Sequence, residues 1–128
     1  GHWAEPITVG PVTPDRGPVM VEISYAVRPE DREAFLVALH DLAWRRLRDG
    51  AHHWQVFEDT AAPDAFLEVF LQPSWLDHLR LHGRVTRDDA EAQARVLAFH
   101  QGEAPRVRHL LAARPGDLPP ATHAHVRH

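Results

Sequence analysis

The stretch GAHHWQVFEDTAAPDAFLEVFLQPSWLDHLRLH, residues 50–82, decides the fold. Gly50 follows a helical pattern and suits the C′ position, where a left-handed residue closes a helix. Ala51–Glu58 alternates His52, Trp54 and Val56 with His53, Gln55 and Phe57, the period of a strand. Asp59–Asp64, with Pro63 inside it, is expected to be a turn, and Phe66–Gln72 the next strand. Phe66, Glu68 and Phe70 oppose Leu67, Val69 and Leu71, so both faces of that strand are largely apolar. Pro73-Ser74 opens a helix with Trp75 in its first turn, and Ser74 with Asp77 reads as a capping box.

Working outward, Val19–Val27 alternates Val19, Val21, Ile23, Tyr25 and Val27 with Met20, Glu22, Ser24 and Ala26, a first strand. Pro29 fits the first turn of a helix running to about Asp49, with Phe35, Leu36, Leu39, Leu42, Ala43 and Leu47 on one face. Arg46 projects from that face and is expected to snorkel and cap the last carbonyls rather than clamp a substrate. Val37 and Trp44 form a second apolar stripe, expected to meet the N-terminal segment or another subunit. Beyond residue 82, Gly83 permits a bend, Thr86 with Asp89 makes a second capping box, and Arg106–Ala113 is the last strand. The order β-α-β-β-α-β predicts an α+β, ferredoxin-like domain, a four-stranded antiparallel sheet with helices on one face. One layer of helices covers one face of such a sheet. The apolar content of both faces of the third strand therefore predicts a homodimer joined sheet to sheet.

Composition narrows the function classes. The chain has 128 residues, enough for one domain with a real core. Residues 1–18 hold four of the eleven prolines and read as a Pro/Gly-rich linker. In that segment Trp3 is expected to pack on something. Residues 19–113 read as the domain and 114–128 as a flexible tail. The net charge of −4, without a basic stripe, gives no reason to expect nucleic acid. There is no cysteine, which excludes disulfides, thiol catalysis and zinc–thiolate sites. No apolar run approaches the roughly 18 residues of a membrane span. Ser24 and Ser74, the two serines, stand in no Gly-x-Ser-x-Gly elbow, and no glycine-rich phosphate loop exists.

Eleven histidines are the compositional excess, with His123, His125 and His128 in the tail. His78 and His82 have the i,i+4 spacing of a helical metal pair, but Leu79, Arg80 and Leu81 lie between them and no third ligand is evident. On a continuous helix His100 would stand about 27 Å from His82, too far to share an ion. No metal is expected; neutral, hydrogen-bonded histidines are the reading preferred. The candidate small-molecule site is a pocket between the sheet and the second helical region. Trp75, His82 and His100 are expected near it, with Trp54 or His109 from the sheet.

Further residues carry a resemblance. His2-Trp3-Ala4-Glu5-Pro6, Pro14–Val19, Arg48–Ala51, Trp54, Phe57–Asp59, Phe66–Glu68, Ser74-Trp75, His78, Arg80, His82, Arg84, Thr86, Phe99-His100, Val107, His109 and Leu110 stand in order. With them the chain resembles the C-terminal soluble domain of major facilitator transporters of the transmembrane secretion effector group. Its fold order, length and Trp/His content resemble the antibiotic biosynthesis monooxygenase superfamily, the dimeric α+β barrels. The first resemblance implies a ligand-sensing or regulatory domain at the cytosolic face of the plasma membrane, once joined to a transporter and binding a small aromatic molecule. The second implies a cofactor-independent monooxygenase or cyclase acting on an aromatic natural product. A dimerisation module without ligand is the third possibility. Both the metal- and flavin-free oxygenases and the haem-degrading relatives of that superfamily include versions that use asparagine. This sequence contains none, which counts against catalysis but not against binding. No cofactor is expected.

Overall fold

The computed structural model describes Thr8 and residues 10–82 and 86–119. Trp3, Gly83 and the tail histidines lie outside the described residues, as does the side chain of His82. The elements are β1 (Val19–Ala26), a 3-10 turn (Pro29–Asp31), α1 (Arg32–Arg48), β2 (His52–Asp59), β3 (Ala62–Gln72), α2 (Trp75–His82), α3 (Arg87–Leu97) and β4 (Arg106–Leu111). The strands form one antiparallel sheet in the order β2-β3-β1-β4, the ferredoxin-like topology. The second helical region is two helices, as the paired capping signals imply.

Side-chain alternation places the core. Val19, Val21, Ile23 and Tyr25 of β1 and Phe66, Phe70 of β3 are buried beneath Phe35, Leu39 and Leu42 of α1 and Ala92, Val96 of α3. Their neighbours on the opposite sheet face, Met20, Glu22, Leu67, Val69 and Leu71, are half-buried.

Helix ends follow their local chemistry. Gly50, at φ 107°, closes α1 in a Schellman motif: the Ala51 N–H donates to Arg46 O and the Gly50 N–H to Leu47 O. At α3 the Asp89 N–H donates to Thr86 Oγ1 while the Asp89 carboxylate accepts the Thr86 N–H, the full capping box. At α2 the box is half formed. Ser74 Oγ accepts the Asp77 N–H, but Asp77 Oδ2 takes the Ser74 hydroxyl rather than its N–H.

Three expectations are corrected. The β2–β3 turn is Thr60–Ala61, tightened by an Ala61 N–H to Asp59 Oδ1 bond of 2.8 Å, and Pro63 lies within β3. Pro63 fits there because the β2–β3 register shifts between Glu58↔Phe66 and Asp59↔Ala62, so Pro63 lies in the irregularity and has no partner in either register. Leu47 is 46% exposed, while Arg46 is buried in its place. Arg46 does not snorkel; a buried carboxylate opposite, Glu68, keeps it inside. Apart from these, the second stripe of α1 is left uncovered by the described residues, with Val37 70% and Trp44 77% exposed.

Candidate functional site

Of the residues expected to form one pocket, Trp75 with His109, Trp54 and His100 separate into three places. The first is built around the start of α2. Four N–H groups of a first helical turn need acceptors. Here the Trp75 N–H donates to Arg16 O (2.7 Å), Leu76 N–H to Pro14 O (3.0 Å), Asp77 N–H to Ser74 Oγ (3.1 Å) and His78 N–H to Ser74 O (3.1 Å). The His78 bond is the first of the helix's own ladder, so the segment before β1, expected as linker, supplies two of the three caps as backbone carbonyls. It lies so close that Gly17 must be glycine. A Cβ there would overlap the Pro73 carbonyl oxygen and stand 2.9 Å from Ser74 Cα. The Arg16 side chain then crosses to the C-terminal segment, donating from Nη1 to Leu118 O (2.9 Å) and from Nη2 to Ala112 O (3.3 Å). In return Arg114 Nη1 donates to Gly17 O (3.1 Å).

Between these two segments, β4 and Trp75 lies a cleft of about 470 Å³. Val12, Trp75, Leu111 and Leu118 give it apolar walls, and Arg16 and Arg114 add guanidinium groups. His109, which sits across from Val21 in the sheet register, also lines it. Trp75 and His109 are therefore brought together, with ring centroids 6.4 Å apart and nearly perpendicular. His78, buried, joins them 5.6 Å from Trp75 and 4.7 Å from His109. Its Nδ1 lies 2.6 Å from Gln72 Oε1, so that nitrogen carries the proton and donates. Spacing alone pairs His78 with His82. Its i+3 spacing from Trp75, one helical turn on the same face, was the signal for its place here.

The second place is a buried polar network under α1. Glu68 is 0% exposed and accepts from Arg46 Nε (2.6 Å), Trp54 Nε1 (2.7 Å), Tyr25 OH (2.8 Å) and Arg46 Nη2 (3.3 Å). Four donor groups occupy the lone pairs of one carboxylate, so the buried Glu68–Arg46 pair is fully hydrogen-bonded. Arg46 also lies over the Phe70 ring, 4.7 Å from its centroid. Burial, with the adjacent Glu68 carboxylate adding to it, pushes the Tyr25 phenol well above its ordinary range despite Arg46, so it stays protonated and donates. Burial opposes the Arg46 charge, but Glu68 outweighs it and raises the guanidinium further. Trp54 belongs here, half-buried beneath His40 at 5.0 Å between ring centroids.

The third place is the far end of β1. His100 Nδ1 accepts the Ala26 N–H (3.1 Å), which leaves the proton on Nε2, 2.6 Å from Glu103 O. Both ring nitrogens are spent on backbone, a role that joins the α3–β4 connection to β1. Among the described residues no group of three or more His, Asp or Glu is placed to hold a metal ion.

Fold and geometry together define a ferredoxin-like α+β domain, a fold it shares with proteins assigned as antibiotic biosynthesis monooxygenases. A protein of Caulobacter crescentus assigned to those monooxygenases superposes with TM-score 0.66 at 23% identity, over 79% of this chain and 94% of that one. One from Bordetella bronchiseptica, similarly assigned, gives 0.65 at 20%, over 77% and 100%. A Mycobacterium tuberculosis protein gives 0.61 at 18%, over 79% and 100%. A comparison with curated proteins finds no match. The profile of the transmembrane secretion effector family matches residues 1–116, and the chain belongs to that family. No helix among the described residues is long and apolar enough to cross a membrane.

Proposed function

We propose that the chain is a cytosolic ligand-sensing domain of a major facilitator efflux transporter, holding a small hydrophobic or aromatic molecule in the cleft beside Trp75. The observation that carries this reading is the cleft itself. It has the volume and the mix of apolar wall and few polar groups that small-molecule sites have. Its position supports a regulatory role, because one wall is the segment that caps α2, and that segment belongs to the part of the chain the family profile covers. In this reading His109 and Trp75 contact the ligand, His100 and Trp54 stand outside the site, and His78 fixes the cluster from behind.

The proposal includes a homodimer through the open sheet face. Met20, Leu67, Val69 and Leu71 form an apolar strip there, and a specific interface would bury about 1,600 Å² in total. Light scattering at micromolar concentration should give twice 14.5 kDa; a mass near 14.5 kDa refutes the dimer. For the ligand, planar aromatic compounds should quench tryptophan fluorescence saturably, and Trp75→Phe should weaken their binding while Trp54→Phe leaves it intact. Absence of saturation by any of a flavin, haem or polyketide-like panel would defeat the ligand reading. A second reading, a cofactor-independent monooxygenase, is favoured by the likeness of fold to the Caulobacter and Bordetella proteins. It predicts oxygen uptake when an aromatic polyketide-like substrate is added to the chain alone.

A further inference from the structure

We infer that the cleft takes an amphipathic acid, a flat apolar body carrying one carboxylate, whose charge is read by Arg16 and Arg114. This rests on the cleft being a ligand site, and it adds what kind of ligand.

The argument begins with charge. The chain carries −4 overall, yet the cleft walls bring two guanidinium groups against a single carboxylate, Asp117. Arg16 has 14% of its side chain exposed and is held by neutral acceptors, the carbonyls of Leu118 and Ala112. Its nearest carboxylate oxygen, Asp117 Oδ2, is 3.7 Å away and already accepts the Arg114 N–H at 2.8 Å. Arg16 Nε is buried and has no hydrogen-bond partner among the described residues. A cation largely withdrawn from water and held mainly by carbonyl dipoles gains more from an anion in reach than an exposed one does. Arg114 spends one of its five donors on Gly17 O. The planar fork of either guanidinium matches a carboxylate.

The rest of the cleft sets the other half of the ligand. Val12, Leu111, Leu118 and the Trp75 ring offer no complement to a small inorganic anion, whose hydration they would strip without return. An uncharged aromatic would fill the walls but leave the guanidinium pair as it stands. An acid with a flat apolar body satisfies both, and it would draw together the two segments that Arg16 already joins.

The test compares naphthoic acid with naphthamide, matched in shape and differing in one charge, by calorimetry on the full chain at low salt. The acid should bind about tenfold more tightly or better, a margin that narrows as salt rises. Arg16→Gln and Arg114→Gln should each remove most of that margin, read as the ratio of acid to amide affinity within the same variant. Arg16→Lys should keep part of it. Because Arg16→Gln also cuts the tie to Leu118, circular dichroism checks its fold; if it unfolds, Arg114→Gln and the acid-to-amide ratio of the unaltered chain decide. Equal binding of acid and amide, both weakened by Trp75→Phe, would overturn the charge inference and leave the cleft standing. A margin that survives in both Gln variants would overturn it as well. Binding of neither compound would sink the cleft and the inference together.

Discussion

Glu68→Leu should be among the most damaging single substitutions in this domain. The carboxylate is fully buried and accepts from three side chains, Arg46, Trp54 and Tyr25. Removing it leaves a buried guanidinium without its counter-charge, which on its own costs about 3–5 kcal/mol. The Tyr25 hydroxyl also loses its acceptor, at about 1–3 kcal/mol, and Trp54 less because it is only half-buried. These costs overlap, since the site relaxes as one unit, so about 4–6 kcal/mol is the expected loss. That is a large share of the roughly 5–15 kcal/mol that holds a domain folded. Arg46→Met should cost less, about 2–4 kcal/mol, because Tyr25 and Trp54 still donate to the carboxylate that remains. The double variant Glu68→Leu with Arg46→Met removes both charges and should be more stable than Glu68→Leu alone. Urea unfolding at fixed protein concentration, followed by far-ultraviolet circular dichroism, supplies all four corners of the cycle. A loss below about 1 kcal/mol for Glu68→Leu, or a double variant worse than either single one, would refute this account of the network.

Three further outcomes are expected. Gly17→Ala forces a Cβ into the Pro73 carbonyl, so it should destabilise the chain and expose Trp75, read as a red shift of its emission; an unchanged spectrum and stability would show the segment is not docked. Gly50→Ala meets no neighbouring atom but keeps a φ of 107°, so it should cost only about 1 kcal/mol of conformational strain, clearly less than Gly17→Ala. Burial pushes the Asp89 carboxyl up, but hydrogen bonds from Thr86 and the Arg48 guanidinium outweigh it and hold the group below its ordinary value of 3.8. Its contribution is therefore fully present above pH 3.8 and lost as pH falls through the depressed folded value. Acid unfolding of Asp89→Asn should show less pH dependence in that window, and an unchanged slope would refute the assignment.

What was legible in the sequence was periodicity and capping. Alternation in β1 and β3, the apolar face of α1, Gly50 as a helix stop and Thr86 with Asp89 as a helix start each carry a local chemical signature, and together they suffice for the topology. The turn was misplaced because Pro63 is a strong turn signal taken alone. The Asp59 side chain closes the hairpin two residues earlier. The ion pair was missed for a different reason. Arg46 and Glu68 each have an ordinary reading alone, one as a snorkelling cation and the other as a polar position in a half-covered strand. Only their meeting across the α1–sheet interface is diagnostic, and the separation of 22 residues hides it. The signal available was that two opposite charges both interrupt faces made otherwise of Phe66, Phe70, Leu39 and Leu42.

The candidate site was harder to read because the segment that forms one wall is held in place through its backbone. Residues 10–18 have no apolar period, so their composition suggests a tether. Yet their value lies in carbonyl oxygens: Pro14 O and Arg16 O complete the first turn of α2, and no side-chain pattern announces a carbonyl. Once those two bonds form, Arg16 is fixed beside the start of α2 and its guanidinium reaches the C-terminal segment. The cleft, the start of α2 and both flanking segments then stand or fall together. Whatever displaces residues 10–18 strips two acceptors from a helix end and opens one wall of the cleft, and whatever fills the cleft holds those residues in place.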